Sequence, residues 1–262
     1  MSSSMQAKSS DGTPISYDRT GNGPALILVE PAGHYRERSA FDALAPLLTP
    51  DFSVIRYDRR GRGLSGDMPP YDPSREVEDL AALIAAVGGQ AFVYGYSSGA
   101  LVALHTAAAK VPIVGMVLLE PPLQQEAKAG PDPLTEELVA LVQAGRPEDA
   151  VAHFHAAIGV PQEMVDEMRG GEAWAKMVGI APTLVYDCML SDAMSPEICR
   201  AVTTPVLVLD SEGSSDDLTC SSAQAAQLIP NARHKSLPGE WHTVAPELIA
   251  AELRRFFGAV GA

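Results

Sequence analysis

A serine with glycines two residues to either side, Gly95-Tyr96-Ser97-Ser98-Gly99, is the feature of this chain best suited to chemistry. Before it, Gln90-Ala91-Phe92-Val93-Tyr94 reads as a buried strand; after it, Ala100 to Ala109 reads as a packed helix. A strand that turns sharply into a helix at G-x-S-x-G projects the serine hydroxyl from the sheet edge, with the helix N-terminus aimed at it. The glycines leave room for the bend because neither carries a Cβ. A pattern this short also arises by chance, so its partners decide.

A serine hydroxyl is a weak nucleophile until a base takes its proton, and the base needs a third group to fix its tautomer. The expected base is His242, in the loop Leu237-Pro238-Gly239-Glu240-Trp241-His242 between a late strand and a closing helix. The other histidines have plainer readings: His105 is inside the helix after Ser97, His153 and His155 lie in a helical region, His234 begins a strand and His34 follows the first loop. His153 and His155, two apart on a helix, point in different directions, which argues against a metal pair. Glu120 is the first candidate for the acid, because it ends the apolar run Val114 to Leu119 and Pro121-Pro122 fix it at the strand's exit. Asp216 or Asp217 comes next, then Asp210 or Glu212. The order Ser97, Glu120, His242 matches the chain order of such triads on α/β sheets. Two backbone N–H groups must face the developing oxyanion; Ser98 and Ala32 are expected to supply them, since Pro31 cannot donate.

These residues need a sheet that delivers them to one edge. Ala25 to Val29, Ser53 to Tyr57, the Ser97 strand, Ile113 to Leu119, Val206 to Asp210 and His234 to Leu237 read as strands after a loose N-terminus. Phe41 to Leu48, Glu76 to Val87 and Pro246 to Phe257 read as helices packed on them, the alternation of a mostly parallel, doubly wound α/β sheet. From Pro121 to about Thr204 only helical patterns appear: Leu134 to Gln143, Glu148 to Ala157, Gln162 to Met168 and Ala173 to Leu190. The expected organisation is a core of residues 1–120 and 205–262 with a helical cap of 121–204 over the strands' C-terminal edge, where open α/β sheets bind ligands. Met164, Met168, Met177, Met189, Met194, Trp174, Phe154 and Tyr186 give that cap enough apolar surface to line a pocket.

The chain has 262 residues, 46% of them hydrophobic and 20% charged, room for one large core. A formal charge of −14 without a basic stripe argues against nucleic acid or an anionic membrane as partner and suits a small uncharged or positively charged substrate. Cys188, Cys199 and Cys220 have no C-x-x-C spacing and read as reduced packing residues. Met1 to Ser10 is polar and no apolar run reaches transmembrane length, so a cytoplasmic address is expected. Nothing in the sequence sets the oligomeric state.

Taken together, Gly95 to Gly99, the loop Tyr57-Asp58-Arg59-Arg60-Gly61-Arg62-Gly63-Leu64-Ser65 and the histidine segment Pro238 to Pro246 resemble the α/β-hydrolase superfamily, from about Asp11 to Phe257. The likeness is to its small capped bacterial members. It implies an eight-stranded sheet, no cofactor, and esterase, lactonase, amidase or thioesterase chemistry. Four residues after the strand run from Val206, where many such enzymes carry the triad aspartate, this chain has Ser214; the dehalogenase branch can carry its acid where Glu120 stands. The loop usually beginning His-Gly is here Glu30-Pro31-Ala32-Gly33-His34. If Glu30 faced the pocket it would disfavour an oxyanion and favour a protonated His242; otherwise it turns away to pair with an arginine such as Arg59 or Arg60. Expected substrate contacts are Glu30, His34, Tyr96, Trp174, Met177 and Trp241. Gly61 to Gly66 matches G-x-G-x-x-G, but the prolines that follow preclude the helix a dinucleotide site needs. The leading reading is a serine hydrolase of a small, largely apolar substrate; the rivals are a lyase, cyclase or rearrangement enzyme using the altered loop, and a ligand-binding module without turnover.

Overall fold

The computed structural model describes residues 4–123, 132–160 and 162–261. Its first half runs β1 (Met5–Lys8), β2 (Pro14–Thr20), β3 (Ala25–Val29), α1 (Leu44–Leu48), β4 (Ser53–Tyr57), α2 (Pro73–Ala86), β5 (Ala91–Tyr96), α3 (Ser98–Ala108) and β6 (Ile113–Leu119). Among the described residues, six helices follow without a strand: α4 (Pro133–Gln143), α5 (Pro147–Ala157), α6 (Gln162–Met168), α7 (Glu172–Gly179), α8 (Pro182–Asp192) and α9 (Pro196–Ala201). The chain then returns through β7 (Val206–Ser211), α10 (Asp216–Leu228), β8 (Ala232–Leu237), the short pair β9 (Gly239–Glu240) and β10 (Thr243–Val244), and α11 (Pro246–Val260).

Eight strands form one sheet in the order β1-β2-β4-β3-β5-β6-β7-β8. From β4 to β8 every neighbouring pair is parallel, while β2 runs antiparallel to β1 and β4. Side chains alternate across such a sheet, so each strand feeds two cores. In β3, Ile27 and Val29 join Leu80, Leu83, Leu101 and Leu104 on the α2–α3 side; Leu26 and Leu28 join Leu48, Leu253 and Phe257 on the α1–α11 side. A third apolar cluster lies within α4 to α8, around Leu138, Val151, Phe154, Trp174, Met177 and Leu184.

Several expected elements differ. The N-terminus is an edge hairpin rather than a loose segment: Ala7 and Ile15 are buried from β1 and β2, which the short, half-polar alternation of Met5 to Lys8 conceals. The stretch Ala173 to Leu190 is two helices, because Pro182 cannot donate to a continuing helix and begins α8 instead. Helix α10, whose Ser, Thr and Gln residues dilute its apolar face, had no counterpart among the expected elements. Residues 124–131 and 161 of the stretch expected to form a cap lie outside the described residues. No helix among the described residues is long and apolar enough to cross a membrane. Cys188 and Cys199 are buried thiols, whereas Cys220 is exposed and packs into no core.

Candidate active site

The strand order sets the geometry. β3 and β6 flank β5, with Val29 opposite Gly95 and Leu119 opposite Tyr96, so Glu30, Ser97 and Glu120 leave the sheet side by side. At Ser97 the chain turns from β5 into α3 with φ +53° and ψ −122°, and its N–H donates to the Leu119 carbonyl at 2.8 Å. Both glycines of the motif are required by close approach: a Cβ on Gly95 would come within 2.7 Å of the Ala100 Cα, and one on Gly99 within 2.2 Å of the Val29 carbonyl oxygen. Any side chain at either position would push α3 off the sheet.

Glu120 is fully buried, and its carboxylate takes three hydrogen bonds. One comes from the Ser211 N–H at 2.8 Å, one from the Ser214 hydroxyl, and one from Nδ1 of His242. Burial pushes the Glu120 carboxyl up, but the bonds from His242, Ser214 and Ser211 outweigh it and hold the acid below its ordinary range. A carboxylate at Nδ1 requires the proton on that nitrogen, which leaves Nε2 of a neutral His242 as the acceptor. His242 is itself fixed from three sides: its N–H donates to Ser214 Oγ at 2.8 Å, its carbonyl accepts from Tyr96 Oη, and its ring lies 5.0 Å from the Tyr96 ring. Ser97, Glu120 and His242 are three of the four non-glycine residues with positive φ among the described residues, the other being Lys110. Such backbone strain persists only where the surroundings hold it, and it concentrates at functional sites.

The alternative acids do not bond His242. Asp210 bonds His234 Nε2 at 2.6 Å, Asp216 and Asp217 sit in the exposed first turn of α10, and Glu212 is exposed. Ser214, at the position where the family resemblance implies an aspartate, tethers the histidine loop to Glu120 instead.

Ser97, Ser98, Ala32 and His242 line one cavity of about 580 Å³, walled mainly by apolar side chains such as Phe41, Leu44, Leu134, Phe154 and Ile249. Hydrogen bonds among the described residues include none between Ser97 Oγ and His242 Nε2; the two groups share the cavity wall. The Ser98 N–H is the first of α3 and one of the orphan donors of a helix start. Of the expected substrate contacts, His34, Tyr96 and Trp241 line the cavity and Glu30, Trp174 and Met177 do not. Trp174 and Met177 are consumed by the apolar cluster of α4 to α8, where burial of large side chains is most favourable. Glu30 is buried and turned away: its carboxylate accepts from Ser39 Oγ and from the Ala40 N–H at 3.1 Å. It pairs with neither Arg59 nor Arg60; Arg59 reaches only its backbone carbonyl, at 3.2 Å. Burial, opposed by those two hydrogen bonds, pushes the Glu30 carboxyl up to about 7.

One part of the site had no counterpart in the sequence reading. Asp187 of α8 is buried, with Arg59 at 2.7 Å on one oxygen and Arg62 at 2.7 Å on the other, and it accepts from Ser98 Oγ at 2.7 Å. Arg62 also donates to the carbonyls of Pro31 at 2.9 Å and His34 at 3.1 Å, while Arg59 chelates Glu76 through two 2.6 Å bonds. This buried network binds the loop after β3 to the start of α3, and residues of both segments line the cavity. Burial pushes the Asp187 carboxyl up, but Arg62, Arg59 and Ser98 hold it below its ordinary value. The available signal was one acid inside the otherwise apolar run Leu184-Val185-Tyr186-Asp187-Cys188-Met189-Leu190.

The model of the alpha/beta hydrolase family matches residues 21–252. The chain belongs to that family. An alpha/beta hydrolase from Sphaerobacter thermophilus is 41% identical, with a TM-score of 0.88 over 97% of this chain and 100% of the other. The esterase RhEst1 from a Rhodococcus species is 25% identical, with a TM-score of 0.75 over 98% and 99% of the two chains. The chain is also 29% identical to 2-(acetamidomethylene)succinate hydrolase of Mesorhizobium japonicum, across 91% of this chain and 90% of that one. This alpha/beta hydrolase is therefore an enzyme of the hydrolase type, with the eight-stranded, mostly parallel sheet of its family.

Proposed function

We propose that the enzyme is a serine hydrolase that cleaves an ester, lactone, thioester or amide of a small, uncharged, largely apolar substrate through an acyl-enzyme. Ser97 Oγ attacks the carbonyl carbon while His242 Nε2 takes the hydroxyl proton. Glu120 holds Nδ1–H and offsets the charge of the imidazolium that forms. The oxyanion is received by the N–H groups of Ser98 and Ala32, held at fixed spacing by the Asp187–Arg59–Arg62 network. His242 returns its proton to the leaving group, then activates the water that releases the acyl chain from Ser97. The helices α4, α5 and α8 act as a cap, since Leu134, Phe154, His155, Asp187, Cys188 and Ser191 all face the cavity.

The observation that carries this reading is the buried Glu120 carboxylate on His242 Nδ1, with His242 and Ser97 on one cavity wall. The lining of the cavity supports a neutral substrate class. A succinate is a dianion at neutral pH, and among the described residues no lysine or arginine lines the cavity, so a neutral acyl group fits it better than the relative's named substrate. The lyase, cyclase or rearrangement reading depended on Glu30 facing the pocket, and its carboxylate is engaged by Ser39 and Ala40 instead. The test is turnover of p-nitrophenyl butanoate by the wild type. Loss of at least about a thousandfold in kcat in Ser97→Ala supports the reading, and equal turnover by both proteins overturns it.

A further inference from the structure

The cavity holds two histidines that the proposed reaction does not use, His34 after β3 and His155 on α5. Each has its tautomer set by the backbone. His34 Nδ1 lies 2.8 Å from the Ala32 carbonyl, and His155 Nδ1 lies 2.7 Å from the Val151 carbonyl one turn earlier in its own helix. A carbonyl oxygen can only accept, so both Nδ1 atoms carry hydrogen and both neutral rings present Nε2 as a bare acceptor. With Nδ1 turned back onto the backbone, the Nε2 edge of each ring faces the other way, and no hydrogen bond among the described residues uses either Nε2. The His155 ring also lies against aromatic neighbours, Trp174 at 6.5 Å and Phe154 at 5.9 Å, centroid to centroid.

We infer that His34 and His155 form a specificity subsite that accepts a hydrogen bond from a neutral donor, a hydroxyl or an amide N–H, on the acyl part of the substrate. The inference rests on the serine-hydrolase reading and narrows its substrate class. Both imidazoles stay unprotonated at neutral pH. Burial is the main cause, pushing His34 down to about 4, and Arg38 adds positive potential at both rings. The same potential, reinforced at His34 by Arg62, works against an ammonium donor. In this mainly apolar pocket neither Nε2 accepts a hydrogen bond from a described residue, so both acceptors are left unpaired when a purely hydrocarbon chain displaces water, and the donor-bearing chain is the one selected.

The test separates binding from turnover. In Ser97→Ala protein, calorimetry measures Kd for anilides of ω-hydroxy acids from butanoate to octanoate and for counterparts in which a methyl group replaces the hydroxyl. At the chain length that reaches the subsite, the preference for the hydroxyl over the methyl is expected to fall about fivefold when His34→Leu or His155→Leu is added. It is expected to recover in His155→Gln, whose amide oxygen is again an acceptor; His155 is half-exposed in α5, so this pair also guards against a folding defect. An ω-ammonium series is expected to bind more weakly than the hydroxyl series. A hydroxyl preference equal in all proteins at every chain length overturns the subsite, as does a stronger ammonium series. Turnover of p-nitrophenyl butanoate by the wild type is scored separately. No hydroxyl preference in the Ser97→Ala parent at any chain length, with intact Ser97-dependent turnover in the wild type, counts against the subsite alone, whereas the expected His34- and His155-dependent preference without such turnover counts against the hydrolase reading alone.

Discussion

Glu30 allows a stability prediction whose sign and size both come from the structure. Its carboxyl is buried beside β5, with Ser39 Oγ and the Ala40 N–H as its hydrogen-bond donors, and its pKa is raised from 4.5 to about 7. Below pH 4.5 the folded and unfolded chains both keep the proton, so the group costs nothing. Between 4.5 and about 7 the unfolded chain releases a proton that the folded chain retains, and stability falls as pH rises. Above about 7 the penalty is complete. At about 1.4 kcal/mol per pH unit, that interval amounts to about 3 kcal/mol. Glu30→Gln removes the ionisation while keeping an oxygen for the Ala40 N–H and an amide for Ser39. Urea denaturation at about pH 4, 5.5 and 8 is expected to find the variant equal to the wild type at the lowest pH and more stable by about 3 kcal/mol at the highest. Turnover of p-nitrophenyl butanoate should change by less than about twofold, since Glu30 is off the cavity wall. A stability difference that is flat with pH refutes the burial argument. Abolished turnover in a folded variant refutes the exclusion of Glu30 from the chemistry.

Two further substitutions probe the supports of the site. Glu120→Gln keeps the shape of the acid but can present an N–H to His242 Nδ1, favouring the wrong tautomer; kcat for p-nitrophenyl butanoate should fall by about 10⁴ with KM little changed, and a loss under about tenfold would remove Glu120 from the triad. Asp187→Ala leaves Arg59 and Arg62 buried with less countercharge, so urea denaturation should find a loss of about 3–5 kcal/mol, and a loss below about 1 kcal/mol would show the network to be dispensable.

What could be read from the sequence was local. The turn at Ser97 was legible because a strand, two close-approach glycines and a helix lie within about twenty residues, and Glu120 because prolines mark where its strand ends. Pairings across long stretches of chain left no such pattern. Asp187 meets Arg59 and Arg62 from more than a hundred residues away, and periodicity carries no record of a partner that distant. The orientation of Glu30 depended on Ser39 and Ala40, two unremarkable residues of a loop, rather than on the arginines that charge alone suggested. Trp174 and Met177 were expected at the substrate because they are large and apolar, but that property serves a core equally well, and the third cluster claims them. His155 had the opposite fate, dismissed as a weak metal ligand and found on the cavity wall.

The central claim is that Ser97 is the nucleophile and His242 its base. Treating the intact chain with a fluorophosphonate and locating the adduct by peptide mass spectrometry tests it most directly. The account predicts a single adduct on the Ser97 hydroxyl in the wild type, labelling slowed at least about a hundredfold in His242→Ala, and none at that position in Ser97→Ala. An adduct elsewhere, or labelling of equal rate in all three proteins, would contradict it.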